Sequence, residues 1–196
     1  MSEYITQKLV DRMITIKIVD SQQREEYLYT VQLLIEKIVG FLAIYLLAFF
    51  SGKIIETTLF LLPYITLRKY TGGYHCKTSL MCIIMSAAIA TFTTLIEIEL
   101  FINNLAVAFF LFILAVIFII KVRTVNHPDM NWSVEEYDRI KILSLRSIVV
   151  WVAVIFIFKL LCVPIKVIVC FLTGIINTSL FMVIAKILKQ EVKLYD

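Results

Sequence analysis

Glycine and proline are scarce in this 196-residue chain, at five and three, which excludes collagen-like and low-complexity architectures. There are only two histidines, His75 and His127, far apart in sequence and with no clustered carboxylates beside them. They make a poor metal site, so neither metal nor cofactor is expected. The four cysteines, Cys76, Cys82, Cys162 and Cys170, lack the paired spacing of a zinc or disulfide framework and read as free thiols. Charge is thin: 19 Lys+Arg against 15 Asp+Glu, formally +4, too little and too dispersed for a nucleic-acid partner. The first 30 residues are charged throughout and carry no signal-peptide pattern, so the N-terminus is expected to be retained.

Apolar residues dominate instead, at 61% of the chain with a mean hydropathy of +0.92. Soluble domains sit near 45–50%. The apolar residues fill about six stretches of the ~20 needed to cross a bilayer. A soluble enzyme and a disordered chain are both excluded. The expected fold is an all-α integral membrane protein with about six transmembrane helices, forming one membrane domain over 1–196.

Within that domain, residues 1–30 repeat apolar groups at helical spacing. Ile5, Leu9 and Met13 recur every fourth residue, with Val10 and Ile14 beside them. Such a stripe suits a helix lying in the membrane interface, and equally a helix packed on the rest of the protein. The six-span bundle is read over 31–185, with spans at about 31–50, 54–67, 79–96, 100–120, 147–165 and 167–185, and a tail over 186–196. With six crossings and the N-terminus inside, the inner side collects 15 Lys and Arg while the outer side keeps only Lys53 and Lys166. Cytoplasmic loops carry that excess, so both termini are expected in the cytoplasm. The second span, about 14 residues or roughly 21 Å, is short, but Ser51-Gly52-Lys53 reads as a turn and keeps it separate. Glu36, Lys37, Glu56 and Lys159 lie in spans or near their ends. They read as snorkelling groups, or as interior pairs or a substrate path.

Chemistry concentrates in one segment, Arg68 to Cys82, where a histidine and two cysteines meet beside Gly72-Gly73. A cysteine nucleophile needs its thiolate, and an imidazole can supply or stabilise it. Cys82 falls in the first turn of the third span, where the helix N-terminus favours a thiolate. On one straight helix His75 and Cys82 would stand about 10.5 Å apart along the axis, too far to work together. The spacing therefore predicts an irregular segment ending near Ser79 that folds His75 back over Cys82. Gly72-Gly73 gives it a flexible approach, and Thr78 or Ser79 caps the span. Packing alone, with Cys82 a small buried hydrophobe and the glycines a plain loop, fits these residues as well. Cys76, as the direct neighbour of His75, is the rival nucleophile; Cys162 and Cys170 read as packing residues. His127 is a second candidate base, but Ser133-Val134-Glu135-Glu136 resembles a capping box, so that loop reads as a turn before a helix.

Arg68, Gly73-x-His75 and Cys82 seven residues beyond that histidine resemble the signature of the accessory gene regulator B (AgrB) family. These are bacterial membrane cysteine endopeptidases that process precursors of cyclic quorum-sensing peptides. Total length, an N-terminal helix, six spans and a loop bearing Asn126-His127-Pro128 are similar too, although Asp129-Met130-Asn131 replaces the basic residues often found there. The resemblance implies Cys82 as nucleophile, His75 as general base and then acid, and an AgrD-type precursor peptide as partner. The product would be a thiolactone or lactone ring. Arg68, Gly73 and Ser79 would bind substrate or support the site, Arg68 by holding an acidic part of the precursor or by fixing the loop. The implied location is the bacterial cytoplasmic membrane, with the active site on the cytoplasmic side. The resemblance also implies a homodimer, although no small-xxx-small pattern argues one independently. The competing readings are a small transporter or exporter, with Glu36, Glu56 and Lys159 along its path, and a non-catalytic membrane scaffold.

Overall fold

The computed structural model describes residues 2–16, 18, 20–76, 78–125 and 133–191. Among the described residues the fold is all-helical: α1 (Ser2–Thr15), α2 (Arg24–Phe50), α3 (Ile54–Thr71), α4 (Ser79–Phe92), α5 (Ile98–Asn103), α6 (Leu105–Val122), α7 (Val134–Leu160) and α8 (Ile165–Ile187). A π-helical turn, Thr93–Glu97, joins α4 to α5 without a break, so the third span runs on to Asn103 rather than ending near 96. Among the described residues, five helical stretches are long and apolar enough to cross a membrane. The sixth expected span, α3, has 18 residues, about 27 Å at 1.5 Å per residue. It is interrupted by Glu56, Arg68 and Lys69 and packs inside the bundle, where Thr57, Phe60, Leu61 and Leu67 are buried.

α8 is the centre of the assembly. Buried residues make up 72% of its apolar window, against 11–22% in the other four spans. Those spans turn large apolar groups outward instead, including Leu42, Phe50, Phe110 and Phe156, the pattern of a surface meeting hydrocarbon rather than water. α8 sits close to α3 because Gly174 has no side chain. A Cβ there would lie 2.6 Å from both the Phe60 carbonyl oxygen and Pro63 Cγ. Gly174→Ala is therefore expected to destabilise the bundle by about 1–3 kcal/mol through overpacking, read as a lowered thermal midpoint in detergent. An unchanged midpoint would contradict the tight seat.

α1 packs along α2, tied by Arg24 Nε to Asp11 Oδ1 at 3.0 Å. Its buried line runs through Thr6 and Val10; Val10 belongs to the stripe read from sequence, while Leu9 of that stripe is exposed. The capping box before α7 is present, with Ser133 and Glu136 exchanging hydrogen bonds at 3.0 and 3.3 Å. His127, with the rest of the Asn126-His127-Pro128 run, lies outside the described residues.

The intramembrane charges fall into separate groups. At the end of the bundle bearing the 51–53 turn, Glu56 pairs with Lys166 at 2.8 Å and Lys53 at 3.7 Å, and Glu99 closes the cluster. Glu36 lies near the opposite end, against Ser79. Lys159 is exposed in the last turn of α7. Glu97, which hydropathy alone did not single out, is held inside by Asn177 Nδ2 and Thr93 Oγ1, each at 2.9 Å. Cys170 is buried in the core as expected. Cys162 instead stands exposed at positive φ in the turn between α7 and α8, because α7 ends at Leu160 and Pro164 opens α8.

Candidate active site

α3 stops at Gly72, whose φ of +66° and ψ of −143° suit a residue without Cβ. A Cβ there would also come within 2.5 Å of the Val125 carbonyl oxygen. Gly73, at φ +133°, lies against Phe181 and the Arg68 guanidinium. The sequence predicted flexibility from this pair. In the structure its contribution is two conformations and two close approaches.

The bend is stitched on both sides. Val125 N–H donates to the Thr71 carbonyl at 2.9 Å, and Tyr74 N–H donates to the Phe181 carbonyl of α8 at 3.0 Å. Thr78, not Ser79, caps α4: its hydroxyl accepts from Met81 N–H at 3.3 Å. The irregular stretch thus runs from Gly72 to Thr78 among the described residues, ending where the sequence placed its end.

This bend lays the peptide after His75 over the first turn of α4. Cys76 N–H donates to Cys82 Sγ at 3.3 Å. His75 and Cys82 line one cavity of about 260 Å³, together with Arg68 and Ser79. Gly73 does not reach it and sits behind Arg68. Burial pushes the Cys76 thiol up from its ordinary value, and neighbouring Cys82 adds to that.

Arg68 is engaged by the protein itself. Its Nη2 donates to the Tyr74 carbonyl, its Nη1 donates to Tyr64 Oη at 3.2 Å, and its plane lies 4.9 Å from the Phe181 ring. That is the geometry of a loop anchor. Ser79 Oγ donates to Glu36 Oε1 at 2.6 Å, and Gln32 Nε2 donates to the same oxygen at 3.0 Å. Glu36 thus forms a hydrogen-bonded cavity wall rather than snorkelling. Its signal in the sequence was a carboxyl within an apolar run. Tyr64, Phe181 and Gln190 also hold the site, and nothing local in the sequence marks them.

The rest of the cavity is lined mainly by apolar groups, among them Leu33, Phe41, Ile44, Leu61 and Ile83, together with Lys37 and Ser86. A half-buried sulfur with a main-chain donor, in a cavity it shares with a histidine, suits acyl transfer to a cysteine. No curated protein and no solved structure matches the chain. A family model described as accessory gene regulator B matches residues 2–186. The chain therefore belongs to the accessory gene regulator B family of multi-pass membrane proteins, which take part in processing the peptides of agr quorum sensing.

Proposed function

We propose that this protein is a membrane-embedded cysteine endopeptidase that cleaves an AgrD-type precursor and closes its product into a ring. The observation that carries the reading is the Cys82 sulfur in the first turn of α4, bonded by the Cys76 amide and sharing a cavity with His75. His75 takes the Cys82 proton as the sulfur attacks the scissile carbonyl, then gives it to the departing amine. The C-terminal fragment leaves and a thioester remains on Cys82. A cysteine within the bound N-terminal part attacks that thioester. Its proton passes through His75 to the returning Cys82 sulfur, and a thiolactone departs.

Cyclisation competes with hydrolysis, so water must be kept from the thioester. The apolar wall of Leu33, Phe41, Ile44 and Leu61 supports that. The Ser79 and Leu80 amides at the start of α4, ahead of the Met81 and Cys82 amides that bond to Thr78, supply donors for the developing oxyanion. The Lys/Arg excess at this end of the bundle supports a site on the cytoplasmic side. The second reading, a transporter, draws less support, because Glu36 and Glu56 belong to clusters at opposite ends of the bundle.

The test is reconstitution of the protein in lipid vesicles with synthetic precursor peptides, followed by mass spectrometry. The expected products are a free C-terminal fragment and an N-terminal product lighter than its free acid by one water. Uncleaved precursor moved across the bilayer would overturn the protease reading in favour of transport.

A further inference from the structure

We propose that Gln190 is a positioning residue for His75, gripping its main chain from the end of α8; this rests on the reading of His75 as the acid–base group. His75 lies in an irregular segment with no helix ladder to fix it, so its backbone groups need other partners. One side chain supplies both. Gln190 Oε1 accepts from His75 N–H at 3.1 Å, and Gln190 Nε2 donates to the His75 carbonyl at 2.9 Å. The amide suits this task because it offers one acceptor and one donor without charge. Tyr74 N–H on one side goes to Phe181, and Cys76 N–H on the other goes to Cys82 Sγ. The Gln190 pair completes a run of three anchored residues.

The end of α8 is built to place this side chain. Lys189 takes a left-handed φ of +52°. Its N–H donates to the Lys186 carbonyl at 3.1 Å, and Gln190 N–H donates to the Ala185 carbonyl at 3.0 Å. These are the two bonds of a Schellman ending, braced by Lys186 Nζ to Glu191 Oε2 at 2.9 Å. The sequence reads 186–196 as a simple tail, and Gln190 lies beyond residue 186, where the family match ends.

The test uses the full chain in lipid, with Gln190→Met, which keeps the length of the stem and removes both bonds. It measures kcat and KM for precursor cleavage, and the pH profile of Cys82 alkylation by iodoacetamide, with labelled peptides resolved by mass. Gln190→Met is expected to lower kcat about tenfold, leave KM within about twofold, and move the Cys82 profile toward that of His75→Ala. Gln190→Glu keeps the acceptor and loses the donor, so it should fall between wild type and Gln190→Met. Two outcomes overturn the proposal while leaving His75 in its role: Gln190 variants with wild-type kcat and alkylation profile, or a fall in kcat that tracks thermal stability with no movement of the profile. If His75→Ala itself changes neither readout, the acid–base reading fails and this inference with it.

Discussion

Cys82→Ala is expected to abolish precursor cleavage, a loss of at least about a thousandfold, with membrane insertion unchanged. The side chain lies in the first turn of α4, half-buried at a cavity wall rather than within the core, so its removal leaves little to collapse. Cys82→Ser should be nearly as inactive, because a hydroxyl does not ionise at neutral pH and the Cys76 amide alone cannot activate it. His75→Ala should lower the rate about 10²–10⁴-fold, the usual contribution of a positioned acid–base group. Cys76→Ser provides the contrast. Cys76 offers Cys82 a main-chain N–H, which serine retains. That variant should cleave within about tenfold of wild type. Cleavage by Cys82→Ser together with silence from Cys76→Ser would assign the nucleophile to Cys76 and sink the present reading.

Gly72→Ala is expected to cost about 3 kcal/mol or more and to reduce cleavage about a hundredfold, through two separable effects. The first is conformational, since φ of +66° is unfavourable for a residue with Cβ. The second is steric: that Cβ would sit 2.5 Å from a backbone oxygen, Val125, which cannot swing aside as a side chain does. Gly52 offers a comparison at the same φ without the close contact. It has the same φ of +66° with nothing within 4 Å of its Cβ position, so Gly52→Ala should cost only about 1 kcal/mol and spare activity. Thermal midpoints in detergent, compared between the two variants, measure the difference. Equal midpoints would show that the contact with Val125 is unimportant.

The sequence carried much of this arrangement in patterns of different range. Spans follow from apolar run length, and the cap at Ser133 from a four-residue signal. The bend between Gly72 and Thr78 follows from the impossibility of joining His75 to Cys82 on one straight helix. Contacts between distant segments left no such trace. Gln190 meets His75 across 115 positions, and Phe181 meets Tyr74 across a comparable gap, so neither pair produces a local pattern. The π turn was equally invisible, because shifting one hydrogen bond in a ladder changes neither composition nor hydropathy. Cys162 read as packing because its neighbours are apolar, although the chain turns there and leaves it outside.

That turn at Thr93–Glu97 also fixes the angular phase between the two halves of the long third rod. Each residue advances an α-helix by about 100°, and a π turn absorbs one residue beyond the regular repeat. Deleting a single residue there would let the rod close as a uniform spiral. The Glu97–Asn177 lock on one half and the cysteine on the other would then fall out of step by that angle. A one-codon change within Thr93–Glu97 would thus alter the angle between the sulfur and that lock without altering any group that touches the sulfur.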